Sequence, residues 1–187
     1  MSAQRRLYLR ASLKLMAGIA VVVLLGLFLS ARERPNPPKP IDPTRIDLAD
    51  IVPGQMVISD WGTRKIVILH RSVETIEALS HGNDALLDPD SDNATQPAAA
   101  KNAYRSLQPA YFIAIAYGTD MGCPLRHAPA SEPAPVSPWY GGFQDQCRGS
   151  WYDPAGRVYR EQAAVRNLVV PPYRYLSPGV VEIGVAP

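Results

Sequence analysis

The stretch Met56–Leu69 reads MVISDWGTRKIVIL and holds two runs of mainly β-branched residues with a turn between them. The first run is Met56–Ile58, the second is Ile66–Leu69, and Trp61-Gly62-Thr63 separates them. β-Branched side chains favour extended backbone, and glycine favours the tight turn between paired strands. The sequence therefore predicts a pair of antiparallel strands here.

Similar runs follow along the chain. Tyr111–Ala116 is the most apolar of them and predicts a buried strand, whereas Val73–Leu79 has the apolar spacing of a two-turn helix. Val158, Leu168–Val170 and Val180–Ile183 predict a late set of strands. The predicted fold class is mostly β, built as a sandwich or barrel of small antiparallel sheets.

Two long segments have the composition of loops. Gly82–Ala100 is rich in Asp, Asn, Pro and Ala and predicts a surface loop. Cys123–Cys147 encloses five prolines and Gly141-Gly142, which predicts two loops without regular structure.

Composition excludes several function classes. The 187 residues carry 19 Lys+Arg against 17 Asp+Glu, so no strong charge field points to nucleic acid. Two cysteines cannot by themselves form a structural zinc site or a four-thiolate cluster, and outside the cytoplasm they predict one disulfide. The sequence contains no Ser-His-Asp arrangement, phosphate-binding glycine loop or His-Glu-x-x-His motif, so no catalytic residue is predicted.

An uncharged stretch of 17 residues, 15–31, predicts a single transmembrane anchor in the lipid bilayer. A cleavable signal peptide is the alternative, but no small-x-small cleavage site precedes Arg32. Residues 1–14 are basic and contain a twin-arginine-like Arg5-Arg6. The positive-inside rule then predicts a cytoplasmic N-terminus and a periplasmic domain in a bacterial inner membrane.

The remaining chain divides into a neck and a head. Residues 32–45 include five prolines between Pro35 and Pro43, which predicts a stiff extended spacer. Residues 46–187 form the predicted head domain.

The head resembles the Rieske iron–sulfur subunit of ubiquinol–cytochrome c reductases, the bc-type complexes. The matches are collinear over nearly the whole chain, including the basic N-terminus and the single anchor. They comprise Pro53-Gly54-Gln55, Leu87-Asp88-Pro89, Gly141-Gly142-Phe143, Gly149-Ser150-Trp151-Tyr152-Asp153 and Pro171-Pro172-Tyr173. The resemblance implies a Rieske-like β head on one transmembrane helix.

The resemblance fails at the residues that hold the cluster. A Rieske centre uses two thiolates and two imidazoles, which the family supplies from the loops C-T-H-L-G-C and C-P-C-H-G-S. Here the loops read GTDMGC from Gly118 and DQCRGS from Asp145. The four ligand positions hold Gly118, Asp120, Asp145 and Arg148. Both disulfide positions of the family keep cysteine, as Cys123 and Cys147.

Glycine has no donor atom, a guanidinium has no free lone pair, and carboxylates are hard ligands unsuited to a sulfide-bridged iron pair. The prediction is therefore that no [2Fe–2S] cluster, other cofactor or metal is bound. A site of two cysteines and two histidines is allowed by the counts but disfavoured, because a disulfide would consume both thiols. The family's proline-containing lid over the cluster reads Glu161–Val165 without proline, which predicts its loss.

Two further interpretations concern the altered loops. Arg148 is predicted to pair with Asp120 or Asp145 and so bridge the loops, the alternative being that all three side chains point to solvent. Ser150 and Tyr152 match positions that bond the cluster's sulfurs in the family and are interpreted here as packing and turn residues.

The implied function is that of a non-catalytic, cluster-less accessory subunit of a quinol–cytochrome c oxidoreductase or respiratory supercomplex. Its expected partners are cytochrome b and cytochrome c subunits. Two alternatives remain: a genuine [2Fe–2S] electron-transfer subunit, and a free-standing membrane-tethered periplasmic binding module.

Overall fold

The computed structural model of the chain describes residues 3–31 and 41–186. The described part of the N-terminal unit is one helix, α1 (Ala3–Ala31), and its span Gln4–Ser30 is long and apolar enough to cross a membrane. Met1 and Ser2 and most of the predicted neck, 32–45, lie outside the described residues.

In the head unit, residues 41–186 as described form three antiparallel sheets of three strands each. The first sheet has the order β1 (Thr44–Asp47), β9 (Val180–Ile183), β8 (Tyr173–Ser177). The second has the order β2 (Met56–Trp61), β3 (Arg64–His70), β4 (Tyr111–Ile115). The third has the order β5 (Leu125–Ala128), β6 (Gly142–Asp145), β7 (Trp151–Tyr152). Thr44 and Arg45, assigned to the neck from sequence, thus form part of β1.

The hairpin predicted from Met56–Leu69 is confirmed. Met56 pairs with Leu69 and Trp61 pairs with Arg64, with Gly62 at positive φ in the turn. The buried strand predicted at Tyr111–Ala116 is β4, which pairs with β3. The predicted helix is α2 (Val73–Ser80), and the Ser72 hydroxyl caps it by accepting a hydrogen bond from the amide of Thr75.

The prediction of two loops between Cys123 and Cys147 is wrong, because β5 and β6 lie inside that segment and pair with each other. The prolines and glycines that suggested loops fall mostly in the connection 129–141. Leu168–Val170 is also not a strand among the described residues. Leu168 and Val170 are buried, and the Val169 carbonyl accepts one hydrogen bond from the Ile115 amide at the end of β4. The Leu168 amide, however, bonds to Gly156 and the Val170 amide to Thr95, so this single bond does not continue into a strand ladder.

The segment Gly82–Ala100 is irregular but not a simple surface loop, because Leu86, Ser91 and Ala100 are buried in it. A 3₁₀ turn, Ala98–Ala100, ends it. The main core lies between the sheets and consists mainly of aliphatic and aromatic side chains, among them Leu48, Ile66, Ile68, Phe112, Ile113, Phe143, Tyr152, Leu168 and Ile183.

Buried arginines hold the irregular segments to the core. Arg105 is fully buried, and its guanidinium donates to Gln96 Oε1 at 2.7 Å and to the carbonyl oxygens of Ala155, Gly156 and Leu168 at 2.7–3.0 Å. A guanidinium has five N–H donors, so one side chain can satisfy several orphaned carbonyls. Burial lowers the pKa of Arg105 to about 10.

Arg71 acts in the same way on neighbouring segments. Its guanidinium donates to the carbonyl oxygens of Tyr104, Pro109 and Pro154 at 2.6–3.1 Å, and burial lowers its pKa to about 9. These two side chains fix the segments that flank the third sheet and its loops, so the candidate site rests on a rigid frame.

Candidate functional site

Two short loops and a third segment meet in the head. The first loop (Gly118–Cys123) follows β4 and is closed by a hydrogen bond from the Gly118 amide to the Cys123 carbonyl at 2.8 Å. The second loop (Asp145–Ser150) connects β6 to β7, and the Asp145 amide donates to the Ser150 carbonyl at 2.9 Å. The lid segment (Glu161–Val165) contacts the second loop, and Arg166, the residue directly after it, contacts the first loop.

A disulfide between Cys123 and Cys147 joins the two loops, with 5.9 Å between the Cα atoms. Cys123 is buried, whereas Cys147 is exposed. The disulfide expected from the family resemblance is thus present. It crosses from the end of the first loop to the middle of the second, so neither loop moves independently.

Asp145 organises the second loop from inside. Only 1% of this residue is exposed, and its Oδ1 accepts hydrogen bonds from the amides of Cys147 at 2.7 Å and Arg148 at 3.0 Å. Its Oδ2 is buried without a hydrogen-bond partner among the described residues. A carboxylate that accepts two amides stabilises the turn, since the amides would otherwise be unpaired.

Gly118 faces the same carboxylate. A Cβ built on Gly118 would overlap Asp145 Oδ2 and would lie 3.2 Å from Asp145 Cγ. The two positions where the family places cysteine ligands are therefore in direct contact here. The Asp145 carboxylate fills space that a side chain at residue 118 would need, so glycine at 118 and aspartate at 145 fit each other sterically.

Arg148 and Asp120 meet at the outside of the loops. Arg148 Nη1 lies 3.2 Å from Asp120 Oδ2, with side-chain exposures of 54% and 22%. Of the two partners considered from sequence, Asp120 is the one close to Arg148, while Asp145 binds backbone amides instead. An exposed ion pair of this kind contributes under about 1 kcal/mol to the free energy of unfolding, so it stabilises the arrangement of the loops only weakly.

The lid segment is retained, contrary to the prediction that it is lost. The Ala164 amide donates to Ser150 Oγ at 3.1 Å, and Ala164 itself is buried. The Trp151 amide donates to Gln162 Oε1 at 3.2 Å. Side-chain acceptors on both segments thus hold the lid segment against the second loop without a proline.

A chain of hydroxyl groups connects the first loop to the residue after the lid. Thr119 Oγ1 donates to the Arg166 carbonyl at 2.6 Å, so the Tyr152 hydroxyl donates to Thr119 Oγ1 at 3.2 Å. Tyr152 also accepts from the Thr119 amide at 3.1 Å. Burial raises the pKa of the Tyr152 phenol above its ordinary value. Ser150 and Tyr152 therefore serve as packing residues that join the loops.

The residues at the site do not fit a [2Fe–2S] centre. Such a centre needs two thiolates and two imidazoles, whereas both sulfurs here are joined to each other and Gly118 contributes no side chain. The space beside Gly118 is filled by a carboxylate that is already bonded to two amides. The three histidines lie elsewhere: His70 is on β3, His81 follows α2, and His127 is on β5.

Sequence reasoning identified the four altered positions and both cysteines but missed two features of the site. The steric contact between Gly118 and Asp145 was not anticipated, although both replacements fall at ligand positions. The role of Thr119 was also missed, and no signal in its local sequence indicates the partners Tyr152 and Arg166.

The apolar helix, the small antiparallel sheets and the disulfide-joined loops define a Rieske-like head with a single membrane anchor. The subunit named ubiquinol-cytochrome c reductase iron-sulfur subunit from Allochromatium vinosum is 36% identical over 143 residues, covering 76% of this chain and 69% of that protein. Those of Bradyrhizobium diazoefficiens and Blastochloris viridis are each 33% identical, covering 76% of this chain and 72% and 70% of theirs. The chain belongs to the family of ubiquinol-cytochrome c reductase iron–sulfur subunits.

No family model matches the sequence. Among solved structures, a chain of a hyperthermophilic respiratory Complex III is 18% identical with a TM-score of 0.44, covering 91% of this chain and 98% of its own length.

The disulfide should contribute a large share of the stability of the head. Cys123 and Cys147 are 24 residues apart, and closing a loop of that length contributes about 3 kcal/mol by limiting the unfolded chain. Replacing both cysteines by alanine should lower the Tm of the full-length protein by roughly 10 °C. Calorimetry of the detergent-solubilised protein measures this, and a shift of under about 2 °C would contradict it.

Gly118 and Asp145 should be energetically coupled. Gly118→Ala forces a methyl group against the Asp145 carboxylate and should cost about 1–3 kcal/mol of unfolding free energy. Asp145→Ala removes the acceptor of two amides and should cost about 2 kcal/mol, but it also makes room at residue 118. The double variant should therefore lose at least about 1 kcal/mol less than the sum of the two single variants.

Urea unfolding of the four proteins of this double-mutant cycle supplies the measurement. Gly179→Ala is the matched control, because a Cβ there meets nothing within 4 Å, and it should change stability by under about 0.5 kcal/mol. Additivity of the two site variants within about 0.5 kcal/mol would show that the contact does not matter.

Proposed function

We propose that this chain is a cluster-less accessory subunit of a bc-type quinol–cytochrome c oxidoreductase or of a respiratory supercomplex. It contributes a folded surface to the assembly and carries no electron. Family membership supports the association with such a complex, because the relatives are named as its iron–sulfur subunits.

One observation carries the cluster-less part of the proposal. At the four positions where the family holds its cluster, this chain has a glycine, two carboxylates and a guanidinium, and these groups are engaged with one another or with the backbone. Asp145 holds two amides and fills the space beside Gly118, while Arg148 pairs with Asp120. Releasing them to admit iron would break these contacts and still supply no thiolate or imidazole.

The contacts that hold the loops of the head in place support a structural role for the domain. The disulfide, the lid hydrogen bonds and the Tyr152–Thr119–Arg166 chain are all present in this chain. A head that must only present its surface needs these elements, because they fix the shape of the loops. Fold alone does not define activity, so the proposal that this chain carries no electron rests on the chemistry of its site residues.

The proposed placement follows from the charge distribution around α1. Arg5, Arg6, Arg10 and Lys14 precede or begin the apolar span, with no acidic residue among them. By the positive-inside rule, the N-terminus is cytoplasmic and the head lies in the periplasm of a bacterial inner membrane. In this proposal residues 15–31 form the anchor, the residues between the anchor and β1 form the neck, and the partners are the cytochrome b and cytochrome c subunits.

The purified full-length protein should contain no stoichiometric iron and should lack the visible absorption and the paramagnetic signal of a reduced [2Fe–2S] centre. The reason is the missing donor set. Iron analysis and electron paramagnetic resonance test this, with the Allochromatium vinosum relative produced in the same host as the control for cluster insertion. Two irons per chain with a Rieske-type spectrum would establish the electron-transfer alternative instead.

Complex membership is tested separately. An affinity-tagged chain, expressed at its native level and solubilised in mild detergent, should co-purify with cytochrome b and cytochrome c subunits at a fixed stoichiometry. A tagged variant that carries only α1 and the neck controls for capture through the bilayer. Isolation of the chain by itself, with an intact complex recovered in the unbound fraction, would favour the free-standing binding module.

A further inference from the structure

Three basic side chains follow one face of α1 near its beginning. Arg6, Arg10 and Lys14 are spaced four residues apart within this helix, and all three are exposed. Residues four apart in an α-helix are neighbours on the same face and rise about 6 Å along the axis, so the three groups form a row about 12 Å long. We call this row the basic stripe.

The basic stripe has no acidic partner. Residues 1–31 contain four basic residues and no acidic one, and none of the ion pairs among the described residues includes a member of the stripe. The head differs, since Lys65, Lys101 and Arg126 each lie 2.6–2.8 Å from a carboxylate. The chain has a net charge of +2, of which residues 1–31 carry +4, so its excess positive charge is concentrated on α1.

The stripe ends where the apolar span begins. The uncharged residues 15–31 follow Lys14 directly. With α1 across a bilayer, Lys14 lies at the edge of the hydrocarbon, and Arg10 and Arg6 lie about 6 and 12 Å farther out. Each headgroup layer is about 5–7 Å thick, and long basic side chains can bend toward it while their stems stay on apolar surface. All three charged groups can therefore reach the level of the lipid phosphates.

We propose that the basic stripe binds the phosphate groups of anionic phospholipids in the leaflet that surrounds the beginning of α1. Arginine donates paired, charge-assisted hydrogen bonds to phosphate oxygens, and a phosphate beside Arg10 lies next to a second cation on either side. One basic residue near an anionic membrane surface raises affinity about fivefold. A zwitterionic headgroup carries its own cation and gains less from the stripe. This inference rests on the proposed membrane placement of α1 and adds a ligand class and a binding face to it.

The test uses the full-length protein in mild detergent, incubated with equal amounts of phosphatidylglycerol and phosphatidylcholine that have identical acyl chains. Native mass spectrometry then counts the molecules of each lipid that stay bound to the chain. The wild-type protein should retain phosphatidylglycerol in at least about fivefold excess over phosphatidylcholine.

Variants of α1 separate a binding face from net charge. Arg10→Gln removes the middle of the stripe and should reduce the excess at least about threefold. Adding Ser12→Arg to Arg10→Gln restores the net charge, but residue 12 lies on another face and has no basic residue three or four positions away. The excess should therefore stay as low as in the single variant.

Arg5→Gln is the matched control for the loss of one charge. Arg5 has Tyr8 and Leu9 three and four positions along, so it lies outside the stripe, and its replacement should leave the excess within about 1.5-fold of the wild type. The Tm of the head should be the same in every variant, which establishes that the comparison is between folded proteins.

Equal retention of the two lipids by the wild-type protein would overturn the proposal. Full recovery of the excess in the variant that combines Arg10→Gln with Ser12→Arg would also overturn it, because net charge alone would then explain the binding. Failure of this inference is distinguishable from failure of the proposed function, because iron content and co-purification with cytochrome subunits are measured separately.

Discussion

The space between Gly118 and Asp145 admits one side chain, and the arrangement of the altered site follows from this constraint. The Asp145 carboxylate occupies that space because its Oδ1 is held by two amides of its own loop. Glycine at 118 is then the residue that avoids a clash. The sulfurs of Cys123 and Cys147 are joined to each other beside this carboxylate, and the remaining charged residues, Asp120 and Arg148, pair at the outside of the loops.

The frame that keeps the loops in this contact is largely polar. Arg105 and Arg71 bind carbonyl oxygens of segments that belong to no strand, and Arg157 pairs with Asp153 at 2.7 Å with both side chains almost fully buried. Removing one partner from such a group would leave a buried charge or carbonyl unpaired, which is far more costly than the net gain from any single bond. The segments outside the sheets are thus held in place by specific polar contacts.

Family membership concerns the fold of this chain, whereas the residues at the site concern the chemistry that the fold can perform. Relatives at 33–36% identity show the family, whereas the positions that the resemblance assigns to cluster ligands hold Gly118, Asp120, Asp145 and Arg148 in this chain. The hydroxyl groups of Ser150 and Tyr152 illustrate the difference. They bond to the lid segment and to Thr119, so residues at positions associated with a cluster act here between protein segments. Packing and coordination depend on different atoms, so a shared scaffold does not by itself fix the chemistry at its loops.

The sequence by itself determined the apolar anchor, the hairpin at Met56–Leu69, helix α2 and the identity of the residues at the four ligand positions. These depend on local composition and periodicity, or on whether a side chain has a donor atom at all. Tertiary structure alone decided that β5 and β6 pair within a proline-rich segment, that Leu168–Val170 is buried without being a strand, and that Asp145 faces Gly118. These depend on contacts between residues far apart in the chain, and the free energy of such contacts is not encoded in any short stretch of residues.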